Sequence, residues 1–330
     1  MTFADMARSN ANGRRPAHRP QSFMVKFKRA ARRQALAFSI TCMSVLIAAA
    51  AYVYFAHDFS PVLIASLIGV ALTFGFVIAA SREIWREAID FKVLAKRVSH
   101  PVIGAAPELT DESLRQLAPD ARSPLGALAF QPASPFAAAF RELQESLPNQ
   151  TCVAFLSALP GEGTTTAVLG AGVSATQQGR QVVVVDCDIR QRALTKALGF
   201  DPQRGIVEAC ADPAGWQSCV QEEPETGLHC IPAARSRLPW RAADIAHRLP
   251  ALIEALRPHY DLIILDCPPA LATAEGGPLA RAGADRIILV TSWDDTPLTA
   301  LGGALRTLRG GHGRQPSVGI YVNRAPPVRA

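Results

Sequence analysis

The chain has 330 residues and a formal net charge of +6, with 49% hydrophobic and 19% charged residues. This composition excludes disorder over most of the length, and the length allows about two domains of ordinary size. Residues 1–33 hold nine Lys or Arg and one acid, so this segment sums to +8 and the rest of the chain to −2. Residues 1–34 are therefore a basic tail. Because the rest of the chain is close to neutral, nucleic acid is excluded as a partner.

A hairpin of two membrane-spanning helices is predicted over residues 35–81. Residues 36–56 and 61–81 are mainly apolar and contain no Lys, Arg, Asp or Glu. Each is long enough to cross a hydrocarbon core of ~30 Å. A signal peptide is disfavoured because its apolar region is shorter and precedes a cleavage site. The alternative is a helical hairpin buried in a water-soluble core.

Basic residues flank both outer ends of this hairpin and are absent from the turn at residues 57–60. Nine precede the first span. Five follow the second: Arg82, Arg86, Lys92, Lys96 and Arg97. Because cytoplasmic flanks of membrane proteins are enriched in Lys and Arg, both termini are predicted to be cytoplasmic. The basic tail would then lie against membrane lipids.

Residues 82–135 are predicted to be a juxtamembrane helix followed by a linker. Residues 82–98 place charges on one helical side and apolar side chains on the other, as in helices that lie on lipid. From residue 99 to about residue 135 the chain is rich in Pro and Ala and has no clear periodicity. That composition is typical of a linker.

Strands and helices alternate in the remaining domain, residues 136–330. The predicted strands are 152–158, 181–187, 228–231, 262–266, 286–291 and 318–323. The predicted helices are 136–147, 165–178, 242–256 and 297–309. Several strands are continuous β-branched runs, as a sheet covered on both faces requires. The pattern predicts an α/β fold with a doubly wound, mostly parallel sheet and a ligand at the carboxyl ends of its strands.

The first strand of this domain leads into the segment ALPGEGTTT at residues 158–166. Glycines let backbone N–H groups turn around a phosphate, a helix N-terminus adds its dipole, and a hydroxyl reaches Mg²⁺. We expect nucleotide contacts from Gly161, Glu162, Gly163, Thr164, Thr165 and Thr166. Thr164 stands where such loops usually have lysine.

Carboxylates end two further strands. The segment VVVVDCDIR at 182–190 contains Asp186 and Asp188, and YDLIILDCPP at 260–269 contains Asp266. Alternation puts Asp186 and Asp188 on one side, able to hold Mg²⁺ or activate a hydroxyl. A helix cap or solvated turn is the alternative for any one of them. Three such features in order along one domain predict a nucleotide fold that binds ATP or ADP with Mg²⁺.

These three motifs resemble the cytoplasmic domain of bacterial tyrosine kinases of the polysaccharide co-polymerase type (Wzc-like), within the wider MinD/ParA class of P-loop proteins. The stretch PVIGAAP at 101–107 is also similar to the segment after the membrane in that family. The resemblance implies Mg²⁺ contacts from Thr165, Asp186 and Asp266. It makes Asp186, Asp188 and Asp266 the catalytic carboxylates, and it puts Asn323 near adenine.

The chain departs from the family pattern in several places. The loop lysine is Thr164, for which Arg190 is the nearest compensating cation in sequence. The tyrosine cluster is absent, with only Tyr321 near the end, inside a predicted strand. A short turn at 57–60 replaces the external domain. Helix 136–147 resembles the subunit-contact helix, and its motif positions read Ala138, Arg141 and Gln144.

Resemblance and departures together predict a kinase-like accessory or regulatory subunit of exopolysaccharide or capsule biosynthesis and export. It would be a multi-pass protein of the bacterial inner membrane that binds nucleotide, with weak or no kinase activity. Its partners would be membrane lipids, polysaccharide synthesis and export proteins, and further copies of itself. One alternative is an active ATPase or tyrosine autokinase. Another is a MinD/ParA-type partitioning ATPase, which a spanning hairpin disfavours because it prevents release.

The predicted topology places residue 330 on the cytoplasmic side of the membrane. A reporter active only in the periplasm, fused after residue 330, should be inactive because both outer flanks of the hairpin are basic. The same reporter inserted at the turn at residues 57–60 should be active and serves as the positive control. Periplasmic activity of the fusion after residue 330 would contradict the topology.

Overall fold

The computed structural model describes residues 100–235, 240–293, 295–309 and 315–325. The predicted tail, hairpin and juxtamembrane helix, residues 1–98, lie outside these ranges. Within the ranges described, no helix is both long enough and apolar enough to cross a membrane.

One sheet of eight strands, in the order β1-β8-β7-β2-β6-β3-β5-β4, organises the described residues. Every pair is parallel except β4 with β5. The strands are β1 Val102–Pro107, β2 Thr151–Ser157, β3 Val182–Asp186, β4 Gln221–Glu222, β5 His229–Ile231, β6 Leu262–Asp266, β7 Arg286–Ser292 and β8 Ser317–Ala325.

Helices cover both faces of this sheet. They are α1 Asp111–Arg115, α2 Pro124–Phe130, α3 Pro135–Glu145, α4 Thr164–Gln177, α5 Ala193–Ala197, α6 Ile206–Ala211, α7 Ala242–Leu256, α8 Gly276–Arg281 and α9 Leu298–Leu308, with 3₁₀ segments at Pro119–Ala121 and Pro213–Cys219. Side chains of β3 alternate between the faces. Val183 and Val185 pack into one core cluster with α6 to α9, and Val182 and Val184 into the other with α2 to α5. This confirms the predicted α/β fold with a mostly parallel sheet.

The six predicted strands and four predicted helices are all present, with ends that differ by at most two residues. Continuous apolar runs made the strands recognisable because the central ones are buried on both faces. All positions of β2, β3 and β6 are buried.

The structure corrects the prediction that residues 99 to about 135 form a linker. Residues 102–107 form the edge strand β1, which pairs with β8 so that Val102 lies opposite Ile320. Ala106 is the one fully buried position of β1, so the strand has neither a long apolar run nor a clear alternation. Pro107 fits because an edge strand can lack one N–H donor. The folded unit therefore begins before residue 136.

The side chain of Phe140 joins α3 to the sheet and to α4. Its ring centroid lies 5.8 Å from that of Tyr321 in β8 and 5.0 Å from that of Phe136. The Tyr321 hydroxyl donates to the Ala139 carbonyl at 3.3 Å. On the other side the ring lies against Gly170 of α4, where a Cβ would be 2.3 Å from the ring. Glycine at 170 therefore lets α3 dock closely on α4.

We expect Gly170→Ala to lower the free energy of unfolding by about 1–3 kcal/mol, because its methyl group would collide with the Phe140 ring. The matched control is Gly302→Ala in α9, whose Cβ would meet the Arg306 guanidinium at an ordinary 3.7 Å. That change should leave stability equal or raise it by up to about 1 kcal/mol. Urea unfolding followed by circular dichroism measures both. Equal effects of the two substitutions would contradict the packing argument.

Candidate functional site

The loop between β2 and α4 has the backbone geometry of an anion site. Gly161 and Gly163 have φ values of 81° and 93°, in the left-handed region that favours glycine. Gly163 is the N-cap of α4, and no side chain caps this helix. The N–H groups of the first turn are therefore available to a phosphate, with the positive end of the helix dipole behind them.

Glu162 holds the loop from inside the protein. Its Oε2 accepts a hydrogen bond from the Leu159 N–H at 2.8 Å, and its Oε1 accepts one from the Thr296 hydroxyl. The side chain is buried, and burial raises the pKa of this carboxyl. The sequence predicts that Glu162 contacts nucleotide. In the structure its carboxylate fixes the shape of the loop, and a contact between Glu162 and nucleotide stays a prediction.

Asn323, at the end of β8, fastens the loop from the other side. Its Nδ2 donates to the Glu162 carbonyl at 3.1 Å, and its Oδ1 accepts from the Arg324 N–H at 2.9 Å. A Cβ on Gly163 would lie 1.8 Å from the Asn323 Nδ2, so the close approach requires glycine there. A contact between Asn323 and adenine stays a prediction.

Thr165 and Asp266 form the expected pair beside the loop. The Thr165 hydroxyl donates to the Asp266 Oδ2 at 2.8 Å, and Asp266 lies opposite Asp186 in the β3–β6 register. Burial raises the pKa of Asp186 to about 6 and that of Asp266 well above its usual range, and the charge of Asp186 raises the pKa of Asp266 further. A bound cation would reduce the electrostatic repulsion between the carboxylates of Asp186 and Asp266.

The donor set suits Mg²⁺. Within the part of the chain that the structure describes, His, Cys, Asp and Glu side chains form no group of three or more that could hold a metal ion. Mg²⁺ commonly uses one or two carboxylates together with substrate phosphates and water, so a complete protein cage is unnecessary. Thr165 and Asp266 are the side chains that could hold it, and their contacts with Mg²⁺ stay predictions.

Asp186 is more deeply engaged with the protein. Its Oδ2 accepts from the Thr195 N–H at 2.9 Å and from the Thr195 hydroxyl at 2.7 Å. Its Oδ1 accepts from the Asp188 N–H at 3.2 Å. Asp186 therefore holds the turn after β3, and its predicted catalytic and metal-binding roles stay predictions.

Asp188 and Arg190 follow in the same turn. The Asp188 Oδ1 accepts from the N–H groups of Arg190 and Gln191 at 3.1 and 2.9 Å. The Arg190 guanidinium pairs with Glu275 at 3.0 Å, and its side chain is 67% exposed. The hydrogen bonds of Arg190 thus go to the segment after β6 and to its own turn, not to the loop after β2.

Thr164 and Thr166 are half-buried in the first turn of α4. Neither hydroxyl makes a hydrogen bond to any residue that the structure describes. Thr164 offers one neutral donor and no charge at the position of the usual lysine.

Sequence reasoning missed three residues at this site: Arg324, Thr296 and Thr195. The Arg324 Nη2 donates to the Gly161 carbonyl of the loop at 2.9 Å. Arg324 directly follows Asn323, so its position at a strand end was a usable signal. Thr296 and Thr195 follow no motif, and their contacts arise from the packing of loops that are distant in sequence.

Comparisons with known proteins agree with this geometry. The family model described as an AAA domain (AAA_31) matches residues 151–309. The chain is similar to EpsB of Ralstonia solanacearum, with 26% identity over 204 residues, which are 59% of this chain and 26% of EpsB. The sequence identity with tyrosine-protein kinase YwqD of Bacillus subtilis is 25% over 142 residues, which are 42% of this chain and 59% of YwqD. For the septum site-determining protein MinD of Synechocystis it is 33% over 136 residues, 40% of this chain and 48% of MinD.

Two solved structures share the fold. The kinase domain of Escherichia coli tyrosine kinase ETK aligns with a TM-score of 0.62 and 19% identity, covering 73% of this chain and 96% of that domain. The BceF tyrosine kinase domain aligns with a TM-score of 0.60 and 22% identity, and the alignment covers 72% of this chain and 100% of that domain.

The matched region covers less than two thirds of the curated kinases, 26% of EpsB and 59% of YwqD. It contains the loop after β2 and the strand ends that carry Asp186 and Asp266. Residues 151–309 are therefore an AAA-type P-loop domain, homologous to the EpsB, YwqD and Wzc tyrosine kinase domains and to MinD- and Soj-like ATPases.

Proposed function

We propose that this domain binds ATP or ADP together with Mg²⁺. The observation that carries the proposal is the uncapped N-terminus of α4, shaped by two left-handed glycines and placed next to the Thr165–Asp266 pair. Backbone N–H groups there bind phosphate oxygens. Thr165 and Asp266 would hold Mg²⁺, which would offset negative charge on the phosphates.

The domain turns over nucleotide slowly in this proposal. Phosphoryl transfer depends on positioning and on stabilising charge at the phosphates, where the loop lysine normally acts. Thr164 has no charge to offer. Loss of one preorganised donor costs on the order of 10²–10³ in rate in other enzymes, and loss of a full charge should cost no less. Asp188, whose Oδ2 makes no hydrogen bond to the described residues, would orient the attacking hydroxyl or water.

The cellular role that we propose is a membrane-anchored, kinase-like accessory or regulatory subunit of exopolysaccharide or capsule biosynthesis and export. Homology to tyrosine kinase domains supports the class of system, and the predicted hairpin supports the inner membrane. Polysaccharide synthesis and export proteins, membrane lipids and further copies of the chain are the proposed partners. Tyr321 is fully buried, with its hydroxyl on the Ala139 carbonyl, so it is poorly placed as a phosphorylation site.

Asp266→Asn should weaken Mg²⁺-dependent nucleotide binding by about 10- to 100-fold and metal-free binding much less. The amide preserves size and can still accept from the Thr165 hydroxyl, but it removes the charge that attracts the cation. Isothermal titration calorimetry with ADP, with and without Mg²⁺, measures the difference. Asp201→Asn, at an exposed loop position, is the charge-matched control. Absence of nucleotide affinity in the wild-type chain would overturn the proposed function.

Thr164→Lys should raise the rate of ATP hydrolysis by about 10-fold or more, because it supplies charge at the loop position where phosphates bind. Phosphate release under single-turnover conditions is the measurement. Gln177→Lys adds the same charge at the exposed far end of α4 and should leave the rate unchanged. Rapid hydrolysis by the wild-type chain, abolished by Asp266→Asn, would instead favour the working ATPase or autokinase.

A further inference from the structure

Arg324 is the basic side chain that contacts the phosphate-binding loop. Its Nη2 donates to the Gly161 carbonyl at 2.9 Å. Among the described residues, no other Lys or Arg side chain makes a hydrogen bond to residues 158–166. The guanidinium therefore brings the positive charge closest to a loop whose own lysine position is occupied by Thr164.

The backbone of Arg324 is held in an unusual conformation. Its φ is 56°, in the left-handed region that arginine rarely adopts. The Arg324 N–H donates to the Asn323 Oδ1 at 2.9 Å, which stabilises this turn at the end of β8. Such strain persists where surrounding structure enforces it, commonly at functional sites. Here the turn coincides with the contact between Arg324 and the loop.

The guanidinium is fixed from a second side. Its Nη1 lies 3.5 Å from the Oγ of Ser292, the last residue of β7, and 3.4 Å from the Oδ2 of Asp295 in the connection that follows. The side chain is nevertheless 40% exposed, so one edge faces solvent. Its charge is thus positioned beforehand, and little side-chain freedom is lost when an anion arrives.

We propose that Arg324 supplies the positive charge for nucleotide binding that Thr164 lacks. The guanidinium would act on the α- and β-phosphates of a nucleoside diphosphate or triphosphate. This inference rests on the proposed nucleotide binding. The strand order supports this division of the site. β7 and β8 lie on one side of β2, whereas β6 and β3, with Asp266 and Asp186, lie on the other. Arg324 therefore approaches the loop from the side opposite the carboxylates that would hold Mg²⁺ near the terminal phosphate.

The proposed position of the Arg324 charge predicts which ligands lose affinity when that charge is removed. A charge near the α- and β-phosphates contributes equally to ADP and ATP, because both contain those groups. It contributes little to adenosine, which has no phosphate. Because Arg324 is partly exposed, added salt should screen its contribution.

The test is calorimetry of the purified full-length chain with ADP, ATP and adenosine in the presence of Mg²⁺. Arg324→Gln should weaken ADP and ATP to a similar extent, by about tenfold, and leave any adenosine binding unchanged. Arg324→Lys keeps the charge but loses the forked hydrogen bonds of the guanidinium, so it should weaken ADP and ATP binding less than Arg324→Gln does, by about threefold. Arg306→Gln, on the exposed side of α9, removes the same charge away from the loop and should have no effect.

Two further readouts separate charge from a structural role. Raising KCl from low to high concentration should weaken ADP binding by wild type more than by Arg324→Gln. Thr164→Lys, added to Arg324→Gln, should recover the lost affinity even if the single variant is less stable. Equal loss in Arg324→Lys and Arg324→Gln, or no recovery in the double variant, would overturn the inference. If wild type binds ADP and Arg324→Gln binds it equally well, the inference fails while the proposed function stands; if wild type binds no nucleotide, the proposed function itself fails.

Discussion

The parallel register of β2, β6 and β3 is the constraint on which the site depends. These strands are buried at every position, and Phe155 of β2 lies opposite Asp266, which lies opposite Asp186. A shift of one residue would turn each apolar side chain to the other face, so the register is strongly determined by packing. With the strands fixed, the loop after β2 and the two carboxylates must meet at the same edge of the sheet.

The loop after β2 is shaped by polar contacts with Thr296 and Asn323, which lie on the side of β2 opposite Asp266 and Asp186. Glu162 is buried but has acceptors matched to the Leu159 N–H and the Thr296 hydroxyl, and Asn323 binds its carbonyl. A buried carboxyl is costly unless hydrogen-bonded, and here the bonds give the loop its form. The N–H groups at the start of α4 are thereby left for a ligand. Preorganisation of this kind reduces the entropy lost on binding.

The central strands could be predicted from sequence because burial on both faces produces continuous apolar runs such as the valines of β3. β1 could not, since an edge strand with one fully buried position carries no such signal. At the site, Thr165 and Asp266 were predictable because motif spacing and strand ends fix them. Arg324 could not be predicted as a loop contact from the sequence, because its hydrogen bond to Gly161 spans 163 residues and depends on an uncommon backbone φ angle.

Arg190 is a residue that the sequence did suggest for the site but whose side chain lies elsewhere in the structure. Its place in sequence, four residues after Asp186, made it the nearest candidate for the missing lysine. Its guanidinium nevertheless pairs with Glu275, because the turn after β3 is folded back by Asp186 and Asp188. Sequence proximity to a motif therefore did not decide where a long charged side chain goes.

In the function proposed above, the electrostatics of the site favour nucleotide binding over phosphoryl transfer. In that proposal the loop N–H groups, Thr165 and Asp266 would act on a nucleotide in its ground state, and the Arg324 guanidinium would do the same from the side of β2 opposite Asp266. Rate enhancement requires interactions that strengthen in the transition state, where charge builds up between the terminal phosphates. The lysine position is the one placed for that change, and Thr164 leaves it neutral. Under the proposed function, a domain that keeps the first set of contacts and lacks the second would hold nucleotide without hydrolysing it quickly, and the presence or absence of bound nucleotide would be the state that partner proteins recognise.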